Sequence, residues 1–250
     1  MYNMKSFLRN WIKAFIYPRA LVGFFFLPRF FMSLLTYSSQ SKNEQISLMD
    51  LQPCLGDWTL NTPFDTHYFY QGAWLSRKLA LINPVQHIDI GSSALTISVL
   101  SAFINTLFVD FRPLKVNLTG LSSIAGDILN LPFESSSTSS LSCLHVIEHI
   151  GLGRYGDPID PEGSIKAALE LQRILAPNGK LYLSVPIGRE RICFNAHRVH
   201  APSTVAKLFP MLKLIEFSFV NDEGQYLENQ QFQNASNLDY GCGLFMFEKL

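Results

Sequence analysis

Asp89, Asp110 and Asp127 stand at the ends of three successive short β-rich runs, at 87–91, 105–111 and 123–126. In an open α/β sheet, ligands bind outside the carboxyl ends of the strands, so these carboxylates lie where a site belongs. Asp110 can accept two hydrogen bonds from a ribose diol. Asp127 can accept from an exocyclic adenine amine while Ile128 packs on the ring. Gly91, followed by Ser92, permits a tight turn and close approach of backbone to a ligand. Ser93 and Leu95 occupy positions further along that turn, so a G-x-G-x-x-G dinucleotide fingerprint is absent. A pyrophosphate needs close approach at several backbone positions, whereas a ligand without phosphate tolerates one glycine followed by serines. Each aspartate taken singly is as readily a turn-capping residue. Three in order suit a cationic nucleoside of the adenosine-sulfonium kind.

A second group follows the next β-rich run, at 141–147: His145, Glu148 and His149, then Gly151, Gly153, Arg154, Tyr155, Gly156, Asp157 and Pro158. Three glycines in six residues cost conformational entropy and call for a reason. Either they shape a turn in which Arg154 and Asp157 pair locally, or Arg154 and Tyr155 contact substrate oxygens while Glu148 or His149 accepts a proton. A third group, Arg189, Arg191, Asn195, His197, Arg198 and His200, follows the run at 180–186 and borders the same pocket. Its basic and amide groups suit a hydroxyl-rich or anionic acceptor, or else form a solvated loop.

The elements that must position these groups alternate. Helical spacing is found at 65–81, ended by Asn83-Pro84, and again at 94–103 and 162–175. Further β-rich runs lie at 213–220 and 244–250, on either side of an Asn- and Gln-rich stretch at 221–242 that reads as a lid or a long hairpin connection. Strands alternating with helices imply a parallel sheet. The expectation is an α/β fold with a seven-stranded, mostly parallel sheet and an N-terminal helical apolar extension.

Of 250 residues, 48% are hydrophobic and 16% charged, with 20 basic against 20 acidic groups, which excludes a disordered tail and a globally basic nucleic-acid binder. The four cysteines show neither zinc-finger nor disulfide-framework spacing, so no metal is expected from them and a reducing compartment is. The balance is uneven along the chain. Residues 1–43 hold six basic residues and no acidic one, interleaved with Trp11, Phe15, Phe24, Phe25, Phe26, Phe30 and Phe31. The longest uncharged run, 20–28, is about half of the roughly 20 residues a bilayer-crossing helix needs. Residues 1–37 therefore read as an interfacial segment attracted to an anionic membrane surface, or as a helical cap packed on the domain. The small polar stretch 38–43 reads as a linker, giving a segment 1–43 and an α/β domain 44–250. The expected setting is cytoplasmic, peripheral at the inner face of the membrane.

Over residues 86–188 the chain resembles the class I S-adenosylmethionine-dependent methyltransferases. The resemblance is carried by IDIGSS (88–93), VD (109–110), GDILNLPF (126–133), SSLSCLHVIEHI (139–150) and ELQRILAPNGKLYLSVP (170–186). It implies the Rossmann-like fold, S-adenosyl-L-methionine as cofactor, and Asp89, Gly91, Ser92, Asp110, Asp127, Ile128 and His145 around it. The chain departs from that pattern in lacking the second and third glycines after Gly91. More narrowly, LHVIEHIGLGRYGDPIDPEG (144–163) and FNAHRVH (194–200) resemble the DUF268 family, a methyltransferase-like group without an established reaction. Methyl transfer to an alcohol requires a base, and a neutral histidine serves near pH 7, which marks His149 first and Glu148 second. Arg154, Tyr155, Asn195, His197 and Arg198 then face a small-molecule or saccharide acceptor for O- or N-methylation in surface-glycan biosynthesis. The alternative is a catalytically inactive methyltransferase-like module that binds at the membrane.

Overall fold

The computed structural model describes residues 24–250, and the chain divides between Phe64 and Asp65 into two compact units. In the first, a 3-10 turn at Phe24–Phe26 leads into helix α1 (Leu27–Gln40). Pro28 sits in the first turn of α1, where no amide hydrogen is needed, so it starts the helix rather than breaking it. None of the side chains of α1 is buried; Phe31, Met32 and Leu35 are exposed. Ser38 to Gln40 continue this helix, with Ser39 Oγ donating to Thr36 O at 2.8 Å, so the expected linker at 38–43 begins only after Gln40. Among the described residues, no helix is long and apolar enough to cross a membrane. The membrane-surface reading of residues 1–37 falls largely outside the described residues.

The second unit opens with helix α2 (Thr66–Ile82), capped by Asp65 Oδ1, which accepts from Tyr68 N at 3.1 Å. Asn83 closes it in the left-handed conformation (φ 49°) ahead of Pro84. Strand β1 (His87–Ile90), helix α3 (Ala94–Leu100), β2 (Thr106–Asp110) and β3 (Leu121–Ala125) follow. Next come β4 (Thr138–Leu144), helix α4 (Gly163–Ile174) and β5 (Leu175–Ile187). A small hairpin of β6 (Arg191–Cys193) and β7 (His197–Val199), helix α5 (Pro202–Leu208), β8 (Leu212–Val220), β9 (Tyr226–Leu227) and β10 (Gly241–Lys249) complete the chain.

The main sheet has the order β3-β2-β1-β4-β5-β10-β8-β9. Strands β1 to β5 are mutually parallel, whereas β10 inserts antiparallel between β5 and β8. The seven expected strands are present, and the eighth is β9, two residues paired to the edge of β8. The stretch 221–242 is thus a connection that carries β9 and a 3-10 turn at Phe232–Ala235.

One apolar layer packs Ala167, Ala168, Leu171 and Ile174 of α4 against one face of the sheet. Trp74, Leu75 and Leu79 of α2, with Ile97 and Leu100 of α3, cover the other. Each of the buried leucines and isoleucines stabilises the fold by roughly 1.5–3 kcal/mol. The strand order reverses between β1 and β4, and the site lies at this switch point.

Candidate functional site

A cleft of about 340 Å³ opens at the carboxyl ends of β1 to β4. Gly91, Asp110, Asp127 and Ile128 line one part of it, and His145, Val146, His149 and Tyr155 another. Gly91 has φ 68°, and a Cβ there would sit 3.3 Å from Val146 Cγ1 and 3.4 Å from Asp110 Oδ2. Glycine keeps this corner open. Asp110 Oδ1 accepts the Arg112 N–H at 2.7 Å and Asp127 Oδ1 the Leu129 N–H at 2.9 Å. Each carboxylate is oriented through one oxygen, which leaves Oδ2 for a ligand.

Asp89 lies beneath the cleft and is fully buried. It accepts the Ser92 N–H at 3.0 Å and the Ser142 hydroxyl. Ser142 Oγ in turn accepts from His87 Nε2 at 2.8 Å, and His87 Nδ1 pairs with Ser140 Oγ at 2.8 Å. Burial pushes the Asp89 carboxyl up to about 6 and the His87 imidazole down to about 3. Ser92 is buried as well, and its Oγ accepts the Leu144 N–H at 3.0 Å, tying the turn after β1 to the end of β4. Asp89 and Ser92 therefore hold the turn in place rather than lining the cleft. Ser93, at a position where the dinucleotide fingerprint carries glycine, has φ −60°, a value open to any residue, so serine there leaves the backbone unstrained.

Strand β4 ends at Leu144, three residues before the expected Ile147, because His145 adopts φ 54° and Ile147–His149 forms a 3-10 turn. This geometry gathers three of the expected residues. His145 Nδ1 pairs with Glu148 Oε1 at 2.8 Å, and His149 Nε2 lies 3.7 Å from the same oxygen. Burial pulls the His145 pKa down, but Cys242 and the Glu148 carboxylate outweigh it and hold the ring well above the ordinary histidine value. Glu148 is fully buried, and its Oε2 has no hydrogen-bond partner. It is therefore a positioning group between two imidazoles, both of which line the cleft.

The tautomer of His149 follows from its neighbour. Nδ1 lies 2.6 Å from Ala196 O, and a carbonyl only accepts, so Nδ1 carries the hydrogen and Nε2 is the position that can take a proton. Arg154 Nη1 donates to the same carbonyl at 3.2 Å, which explains its 3.4 Å approach to Nδ1. The Tyr155 ring meets His149 edge-on at 5.8 Å, with the Arg112 and Arg154 guanidinium groups 5.0 and 5.1 Å from its centroid.

The glycine-rich loop is organised differently from the local pair considered above. Asp157 accepts the N–H groups of Gly151 (2.9 Å), Gly153 (3.3 Å) and Tyr155 (3.1 Å), while Arg154 turns to Ala196. Burial raises the Asp157 carboxyl, but these N–H groups outweigh it and hold it below the usual carboxylate range. Gly151 has φ 78°, and its Cβ would lie 1.9 Å from Asp160 O, so no other residue fits.

Of the remaining expected substrate contacts, Asn195 Nδ2 donates to Leu152 O at 3.4 Å. His197 packs on Tyr240 at 5.2 Å and edge-on to His149 at 6.4 Å, and burial and His149 lower its pKa. Arg198 is a correction. Its buried guanidinium donates to Glu148 O (3.3 Å), Ile150 O (2.7 Å), Ser164 Oγ (3.0 Å) and Pro161 O (3.4 Å). It clamps the loop after β4 and does not line the cleft. Sequence reasoning missed Phe111 and Arg112 on the cleft wall, although both directly follow the strand-end Asp110.

Residues 132–249 match the model of DUF268, described as a Caenorhabditis protein of unknown function. The match contains both stretches, 144–163 and 194–200, on which that resemblance was read. No curated protein matches the sequence. Among solved structures, the N-methyltransferase NodS from Bradyrhizobium japonicum WM9, in complex with S-adenosyl-L-homocysteine, superposes with a TM-score of 0.51 at 17% identity. The superposition covers 73% of this chain and 87% of that one. A putative sarcosine dimethylglycine methyltransferase from Galdieria sulphuraria gives 0.52 at 13% identity over 72% and 85%. The fold is the Rossmann-like α/β fold of these methyltransferases.

Proposed function

We propose that the protein is an S-adenosylmethionine-dependent methyltransferase acting on a small or saccharide-type acceptor. The observation that carries this reading is the cleft at the switch point, where Gly91, Asp110, Asp127 and Ile128 converge from the ends of three strands. These residues fit the cofactor: Asp110 Oδ2 would accept from the ribose diol, Asp127 from the adenine amine, and Ile128 would cover the ring. The volume is within the range of small-molecule sites. When bound, the cofactor supplies a methyl group on a sulfonium centre.

The chain's own part is orientation and proton removal. His149 Nε2 takes the acceptor's proton, its ring fixed by Ala196 O through Nδ1 and braced by Tyr155. The Glu148 carboxylate, 3.7 Å from Nε2, then stabilises the imidazolium so formed. The rings of Tyr155 and His149, with Arg154 and Asn195 close by, favour an acceptor bearing hydroxyl or amine groups, as a saccharide of surface-glycan biosynthesis does. The six cations of residues 1–43 favour placement at the inner, anionic face of a membrane.

The test is calorimetric titration of S-adenosyl-L-homocysteine into the full chain. Binding that Asp110→Ala weakens about 10- to 100-fold, the loss of one charge-assisted hydrogen bond, supports the reading. Absence of heat at high protein concentration defeats it. His149→Ala should retain cofactor affinity and lose methyl transfer from labelled S-adenosylmethionine to a saccharide acceptor.

A further inference from the structure

We propose that His67, His145 and Cys242 form a transition-metal site of the zinc type, with three protein ligands and one open position. His67 is the second residue of α2, His145 follows β4, and Cys242 is the second residue of β10, so three distant parts of the chain converge here. Their ligand atoms all lie within 4.8 Å of one another. His145 Nε2 and Cys242 Sγ are 3.4 Å apart. Tetrahedral Zn²⁺ with ordinary bond lengths places a nitrogen and a sulfur about 3.6 Å apart, so this pair is already at coordination distance. The His67 ring lies nearly parallel to that of His145, with centroids 5.8 Å apart, so its half-buried side chain must turn as well as move inward to bring a nitrogen lone pair to the same ion.

Two independent features prepare His145 as a ligand. Its backbone is held at φ 54°, a conformation a non-glycine residue adopts at a cost, and one that clusters at functional sites. Its Nδ1 is bound by the buried carboxylate of Glu148 at 2.8 Å, which fixes the ring so that Nε2 meets Cys242. A carboxylate behind a ligating imidazole is the arrangement that orients histidines on zinc. Glu148 Oε2 is a buried oxygen with no partner, an excess of negative charge that a dication beyond the imidazole would offset.

Tyr68 and Tyr240 complete the surround: Tyr68 lies 5.5 Å from the His145 ring, and Tyr240 5.4 Å from the His67 ring. Two imidazoles and a thiolate select zinc over magnesium or calcium. Binding would displace the proton held between His145 Nε2 and Cys242 Sγ, so metal uptake releases protons. The open position would take water or an acceptor heteroatom. The proposal does not rest on the methyltransferase reading: metal binding is measured on the chain alone, so either can fail without the other.

The experiment is titration of Co²⁺ into the full chain after chelator treatment, followed by displacement with Zn²⁺. One equivalent should produce a thiolate-to-cobalt charge-transfer band and intense tetrahedral visible bands, both abolished by Zn²⁺. Cys242→Ser should lose the charge-transfer band, and Cys54→Ser should keep it. His67→Ala, at a half-buried helix end, should retain native circular dichroism and lose affinity at least tenfold. Glu148→Gln should bind about 10- to 100-fold more weakly with its band position unchanged. Absence of a band in the wild-type chain, its survival in Cys242→Ser, or full affinity in folded His67→Ala would overturn the proposal.

Discussion

Asp89 offers a quantitative test of the network beneath the cleft. Burial raises its carboxyl from 3.8 to about 6, so the folded chain holds this proton more tightly than the unfolded chain does. A carboxyl with a raised folded-state pKa stabilises the fold fully below its unfolded value and loses that contribution as the pH rises through its folded value. The window is therefore about pH 4 to 6, and the amount lost is about 3 kcal/mol. Asn is the informative replacement. Its Oδ1 still accepts the Ser92 N–H, and its amide donates to Ser142 Oγ. Ser142 can then donate to His87 Nε2, with His87 Nδ1–H turning to Ser140, so the chain of bonds reverses without an orphan. His87 remains neutral across the window because burial holds it near 3. Urea unfolding of wild type and Asp89→Asn at pH 4, 5, 6 and 7 isolates the effect, since other titrating groups are common to both. The stability of the wild type relative to the variant should fall by about 2.4 kcal/mol from pH 4 to pH 7, short of the full amount because the unfolded carboxyl is already more than half ionised at pH 4. A difference that stays level across the range, or rises with pH, would refute the reasoning that burial outweighs the bonds from Ser142 and Ser92.

Gly91→Val places a β-branched side chain at φ 68° and against Asp110 Oδ2, so S-adenosyl-L-homocysteine affinity should fall at least about tenfold, read by calorimetry. Unchanged affinity would mean that the turn after β1 does not border the ligand. Arg198→Met removes the clamp on four acceptors of the 148–164 region while keeping the packing of its stem. It should cost about 2–4 kcal/mol in denaturant unfolding and open the loop to limited proteolysis. A stable, protease-resistant variant that merely binds acceptor less well would return Arg198 to a substrate role.

Much of this architecture was legible in the sequence. The strands carrying Asp89 and Asp110 and the one just before Asp127, the Asn83-Pro84 stop after α2 and the helix ahead of β5 are written in local periodicity and turn chemistry, which act over a few residues. The details that shifted are those where side chains override local propensity. β4 stops short because His145 turns into a left-handed conformation to meet Glu148 and Cys242. Ser38 to Gln40 join α1 because Ser39 satisfies itself against the preceding turn.

The sequence by itself thus determined the order of elements, the parallel sheet and the placing of carboxylates at its carboxyl edge, since strand period and turn residues are local properties. The tertiary structure alone decided which polar groups face the cleft and which are consumed beneath it. Arg198, Asp89 and Glu148 look like ligands in a linear reading, yet each is buried and bound to backbone or to a neighbouring side chain. Cys242 and His145, 97 residues apart, share a contact that no local pattern encodes. A hydrogen-bond partner is set by what the fold brings within about 3 Å, and that proximity exists only once the chain has closed.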